Sequence, residues 1–236
     1  MPYFYIDPWY IILVVPAMIF MLITQIGVKS AINKYSQLGT GRNISGKEMA
    51  EMILAQNGIY DVHVERLQSK EGDHYDPRSK RIRLSADVFD SNSISAIGIA
   101  AHEAGHAVQH NVGYFPLVLR NTIIPVSQFT SWLPIPLLII SVMLGSEYVV
   151  ASEALFKTAF IILFLGLFIQ LITLPVEFNA SRRAMVAIRE HNALSTGEQK
   201  GARKVLTAAA MTYVAAFFVT LMNILRLLMI FGRRRD

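Results

Sequence analysis

Four apolar runs, residues 8–28, 133–150, 156–176 and 205–231, constrain this chain more than anything else in it. Each approaches or exceeds the about 20 residues that carry an α-helix across a bilayer, so all four are expected as membrane spans. The composition agrees: 53% of the 236 residues are hydrophobic, only 17% are charged, and the mean hydropathy is +0.40, which excludes an ordinary soluble domain. A soluble core helix would show a polar face, whereas residues 161–174 have Gln170 and Thr173 as their only polar side chains. Tyr3, Tyr5, Trp9 and Tyr10 flank the first run and Trp132 adjoins the second, as expected for rings at headgroup depth. No Lys or Arg precedes the first run and no small-x-small cleavage site follows it, so it is expected as a retained anchor.

The basic residues orient these spans. Eleven Lys and Arg lie between the first and second runs and six between the third and fourth, against Lys157 alone around the connection from the second to the third. The positive-inside rule places the two basic segments in the cytoplasm and the connection 145–156 outside. Four full spans would also put Arg233, Arg234 and Arg235 outside, against that rule, unless the last run is partly interfacial, with Arg226 interrupting it and snorkelling. The expected organisation is an N-terminal anchor (1–28), a cytoplasmic portion (29–131), a transmembrane hairpin (132–176), a second cytoplasmic segment (177–204), and a C-terminal helix with a basic tail (205–236). The net charge of +5 sits largely in the cytoplasmic loops and reads as orientation and anionic-lipid contact, not nucleic-acid binding.

Within the first cytoplasmic portion, residues 91–112 read as a helix. Ser91, Asn92 and Ser93 are competent N-caps, and Ile94, Ile97, Ala101, Ala104 and Val108 follow at helical spacing. That helix carries His102-Glu103-Ala104-Gly105-His106. Two histidines four apart project from one face and can reach one metal ion, and the carboxylate beside them can accept a proton from a water made acidic by that ion. Gly105 costs about 1 kcal/mol relative to Ala inside a helix, so a packing or access reason is expected there. Upstream, Ser45-Gly46-Lys47-Glu48 is a capping box opening a helix that ends near Asn57-Gly58. Val62, Val64 and Leu67 suggest a strand, residues 69–73 a turn, and Arg81-Ile82-Arg83-Leu84 a half-buried or edge strand. This basic strand either pairs with an extended substrate beside the metal or is simply a charge-protected edge; both readings stand.

A catalytic zinc needs three protein ligands and one open position. The chain has no cysteine, so the third must be His, Asp or Glu. His110 lies about 12 Å along the helix axis from His102, too far for the same ion. Position 109 is Gln109, where an H-E-x-x-H-x-x-G-x-x-H pattern needs Gly. His63, His74 and His191 read as ordinary surface or loop histidines. Glu177 is the better candidate, because two spans separate it from the motif helix and the chain crosses and returns to the same side. It follows Pro175, which is expected to restart a helix; the plainer and weaker reading is that it only caps that helix N-terminus. Glu190 and Glu198 are weaker, lacking a comparable helix start.

The stretches His74-Tyr75-Asp76-Pro77-Arg78-Ser79, Ile99 through Ala107, and Glu177 through Ala184 resemble the membrane gluzincins of the HtpX-like type, and more closely the YugP-like neutral zinc metallopeptidases of bacterial membranes. The resemblance covers nearly the whole chain. It implies a mainly α, multi-pass helical membrane protein with a small α+β zincin-like peptidase domain facing the cytoplasm. It implies a zinc-dependent endopeptidase acting on protein or peptide substrates, with one Zn2+ held by His102, His106 and Glu177 and with Glu103 as base. One position departs from the HtpX-like pattern: Ser181 stands where an Asp usually orients a histidine, and an uncharged hydroxyl would polarise the ligand less. The donor that would stabilise the oxyanion is not identified; Tyr213, Arg182 and Arg183 are candidates, with interfacial anchoring and positive-inside charge as their plainer readings. Two other functions fit parts of the pattern: an intramembrane zinc protease, and a non-catalytic adaptor holding zinc structurally.

Overall fold

Ser45 opens the segment after the first apolar run's helix by a reciprocal cap: its hydroxyl accepts from the Glu48 N–H, and the Glu48 carboxylate accepts from the Ser45 N–H. Helix α2 (Gly46–Gln56) follows and buries Met49, Ala50, Ile53 and Leu54 before Asn57 and the positive-φ Gly58 end it. The computed structural model describes residues 7–68, 72–144 and 148–232. Before α2 comes α1 (Val15–Ser36), entered through a π-helical turn at Tyr10–Val14. After it come β1 (His63–Arg66), β2 (His74–Asp76), β3 (Arg81–Leu84), α3 (Ala86–Phe89), α4 (Ile94–Asn111), α5 (Phe115–Trp132), α6 (Pro134–Leu144), α7 (Val149–Glu190) and α8 (Thr196–Gly232). The fold is mainly helical, with three long apolar helices and one small three-stranded sheet.

Strand β3 is central, not an edge: the sheet order is β1-β3-β2, with β1 parallel and β2 antiparallel to β3. The alternation in Arg81-Ile82-Arg83-Leu84 does report a buried face, since Ile82 and Leu84 are fully buried. Periodicity says which side chains point inward but not how many strands lie beside them, and both neighbours are short and polar. The expected 69–73 turn falls partly outside the described residues, as do Tyr3, Tyr5 and the arginines at 233–235.

The chain divides into two compact units. One comprises Thr24–Val118 and Leu174–Thr212, and its core is built on α4, where Ala96, Ala100, Ala101, Ala104 and Ala107 are buried against residues of α2, the sheet and the neighbouring helices. The Ser93 hydroxyl caps α4 by accepting from the Ala96 N–H at 3.2 Å. Small residues set the helix spacing. A Cβ on Gly105 would lie 2.8 Å from the Ala180 carbonyl oxygen of α7, and one on Gly46 would lie 2.2 Å from the Val88 carbonyl oxygen. The packing reason expected for Gly105 is therefore close approach of α4 and α7.

The other unit comprises Met1–Ile23, Leu119–Thr173 and Tyr213–Asp236. Three helices, Tyr10–Ser36, Val149–Glu190 and Thr196–Ile230, are long and apolar enough to cross a membrane. Ile11, Ile12, Ile19, Leu22, Ile23 and Ile26 of the first are all more than half exposed, a surface that water would not tolerate and lipid would cover. The second expected span, 133–150, is not one long helix: α6 ends at Leu144 and α7 begins at Val149, and on the other side Pro134, with no N–H to continue α5, separates α6 from it at Leu133. Helix α6, with 11 residues, is about 16 Å long and cannot alone cross a hydrocarbon core of about 30 Å.

The third run also differs from expectation. α7 starts at Val149, so most of the expected 145–156 connection is helical, and Ser141 and Ser152 tie α6 to α7 by bonding each other's carbonyl oxygens at 2.8 and 2.7 Å. Pro175 sits inside α7 and does not restart it. The residues after it, Val176, Glu177 and Ala180, are all buried, and their packing outweighs the one backbone bond that Pro175 removes. α8 likewise begins well before the expected residue 205. Ser195 and Glu198 form a capping box the sequence reading missed: the Ser195 N–H donates to Glu198 at 2.6 Å, and Glu198 also accepts from the Gly41 N–H at 3.0 Å. Arg226 does not simply snorkel. It donates from Nε and Nη2 to Asp7 at 2.9 and 2.5 Å and lies over the Tyr10 ring, 5.0 Å from its centroid.

Candidate metal centre

His102 and His106 share one face of α4, their rings edge to face with centroids 4.7 Å apart. The close approach that Gly105 permits brings α7 alongside, and Glu177 directs one carboxylate oxygen at both imidazoles. Its Oε2 lies 3.3 Å from His102 Nε2 and 3.8 Å from His106 Nε2. The three ligand atoms lie within 4.8 Å of one another, and this group could hold a metal ion. Two ligands bound at about 2.0–2.1 Å to one tetrahedral ion stand about 3.4 Å apart, and a set of two imidazoles and one carboxylate is chemically suited to zinc. The residues present fit that ion.

Glu103 is buried beside the cluster, and its Oε2 accepts from the Tyr75 N–H of β2 at 2.9 Å. Burial pushes the Glu103 carboxyl above its ordinary range, opposed in part by the charges of His102 and His106. A carboxylate so raised is closer to the pKa that general base catalysis near neutrality requires. At His106, burial favours the neutral ring, but the hydrogen bond to Glu177 and the Glu103 charge outweigh it and hold the imidazole proton above the ordinary range. The cluster therefore attracts positive charge.

Each histidine also has a partner on its other nitrogen. His102 Nδ1 meets Ser181 Oγ at 3.2 Å, and His106 Nδ1 meets Gln109 Oε1 at 2.9 Å. The Ser181 hydroxyl therefore stands where it can orient the His102 ring. Gln109 in turn donates from Nε2 to the Val176 carbonyl at 2.8 Å and to Asn179 Oδ1 at 3.0 Å. The other histidines stand apart. His110 Nδ1 bonds the Tyr75 hydroxyl at 2.7 Å, and His74 Nδ1 faces the Gly72 carbonyl at 2.8 Å. Tyr75 itself is pushed up to about 12 by burial and by the charges of Asp61 and Asp76, so its hydroxyl stays neutral. Glu190 is engaged by Gln56 at 2.9 Å, and Glu198 caps α8.

Tyr75, Gln109 and Asn179 were not singled out from the sequence as partners of the site. Gln109 had a signal: it lies seven residues from His102 and three from His106, on the same helical face, and is completely buried. Tyr75 had none, because its bond to Glu103 depends on how β2 docks on α4. Of the oxyanion-donor candidates, Arg183 donates from Nε to Asn179 at 2.8 Å, and Tyr213 belongs to the other unit. Arg182 and Arg183 line a cavity of about 420 Å³ between α2, α4 and α7 that none of the metal-binding group borders.

The family model described as "Putative neutral zinc metallopeptidase" matches residues 10–232. The chain is 44% identical over 227 residues to "Putative membrane protease YugP" of Bacillus subtilis (strain 168), an alignment covering 96% of this chain and 98% of that protein. No solved structure matches.

Proposed function

This chain belongs to the neutral zinc metallopeptidase family, and from that premise we propose that it is a membrane-bound, gluzincin-type endopeptidase cleaving membrane-proximal or unfolded proteins. The observation that carries this reading is the His102, His106 and Glu177 group with the buried Glu103 carboxyl beside it. On this reading those three residues hold one zinc ion. A bound zinc supplies Lewis acidity that makes water nucleophilic near neutral pH. Glu103 takes the proton from the attacking water and delivers it to the leaving amine, while the Tyr75 N–H fixes one of its oxygens and so aims the other.

The basic segments on either side of the membrane excursion support a cytoplasm-facing site. Two features weigh against the other functions. A structural zinc site is closed by four protein ligands, and among the described residues the group offers three. An intramembrane protease would carry its motif on a span, and α4 is not among the three long apolar helices.

The test compares detergent-purified wild type with Glu103→Gln on an unfolded protein such as casein, with bound zinc measured in both. Cleavage by wild type, with an inactive variant that keeps its zinc, is the expected result. A variant as active as wild type would overturn the assigned base, and zinc-loaded wild type that cleaves nothing would overturn the general endopeptidase.

A further inference from the structure

The two histidines of the cluster are not held alike, and the difference lies in which partners can reverse their hydrogen bonds. A serine hydroxyl both donates and accepts, so the Ser181 contact leaves the His102 tautomer open. At His106 every step is directional. The Val176 carbonyl only accepts and the Arg183 Nε–H only donates. Arg183 therefore makes the Asn179 atom it touches an oxygen, and that oxygen together with the Val176 carbonyl makes the Gln109 atom facing them its NH2 group. The Gln109 oxygen is then the atom facing His106, so His106 carries a hydrogen on Nδ1, and Nε2, on the Glu177 side, is the nitrogen left to bind a metal ion. Gln109 is completely buried, so water does not compete at its carboxamide.

We propose that Gln109 is a positioning residue for the metal: its carboxamide, oriented by the Val176 carbonyl and by Asn179 with Arg183, locks His106 in the metal-binding tautomer and ties that ligand to the turn of α7 that carries Glu177. The inference rests on the metal-site reading above. Partners that orient ligand histidines typically contribute about 10–100-fold in metal affinity.

Zinc affinity, measured by chelator competition, and the visible spectrum of the cobalt-substituted protein test it on full-length wild type and Gln109→Met. Gln109→Met keeps the volume but removes the acceptor; zinc binding about 10–100-fold weaker with altered cobalt bands is expected. Gln109→Met within twofold of wild type with unchanged bands overturns the proposal. Should Gln109→Met not fold, 15N-histidine NMR of the zinc-loaded wild type decides: one slowly exchanging Nδ1–H is expected, and its absence overturns the role. Wild type that binds zinc without cleaving protein would sink the peptidase reading and leave Gln109's role intact. Wild type that binds no zinc would sink both.

Discussion

Glu103 combines two properties in one carboxyl: it is buried, and it is held by a backbone N–H from a strand. Burial raises its proton affinity while the Tyr75 amide fixes its direction, and both suit a group that must accept and return a proton in each turnover. Glu103→Gln preserves shape and the Tyr75 contact but cannot take a proton, so kcat is expected to fall by at least about 10²–10⁴-fold with zinc content unchanged, read by steady-state kinetics and metal analysis. Glu177→Gln acts on the other quantity. Replacing the charged ligand should weaken zinc binding strongly, and chelator titration should show apparent affinity lost before any change in the intrinsic rate of the loaded fraction.

At the scale of elements, the seam between α4 and α7 decides whether there is a site at all. A methyl group at 105 would meet the Ala180 carbonyl at 2.8 Å, and neither backbone can yield without moving a ligand. Gly105→Ala is expected to destabilise the protein by about 1–3 kcal/mol, seen as a lower thermal midpoint, and to weaken zinc binding in the same variant. How much was legible beforehand follows from which interactions are local. The α2 and α4 caps and the histidine pair depend on residues within one or two turns of each other and could be read directly. The central place of β3, the continuity of α7 through Pro175 and the bond from Tyr75 to Glu103 depend on what packs alongside, and periodicity carries no such information. Glu198 was within reach: Ser195-Thr196-Gly197-Glu198 has the spacing of a capping box.

Over the whole molecule, the entry to the first helix and the last helix are joined by a charge pair, and the candidate metal group draws on two distant parts of the chain. Arg226 and Asp7 are each largely shielded, so Asp7→Asn or Arg226→Gln alone leaves a poorly solvated group behind. A double-mutant cycle on thermal unfolding in detergent is expected to give a coupling of about 0.5–3 kcal/mol, with the double variant less damaged than the sum of the singles. The histidines precede the excursion Leu119–Thr173 and Glu177 follows it. On the proposed function, a chain emerging from the ribosome owns two of the three ligands long before the third exists, and it acquires that third only once residues 119–173 have been made; peptidase competence is then an index of a finished chain, and a stalled copy is harmless to its neighbours.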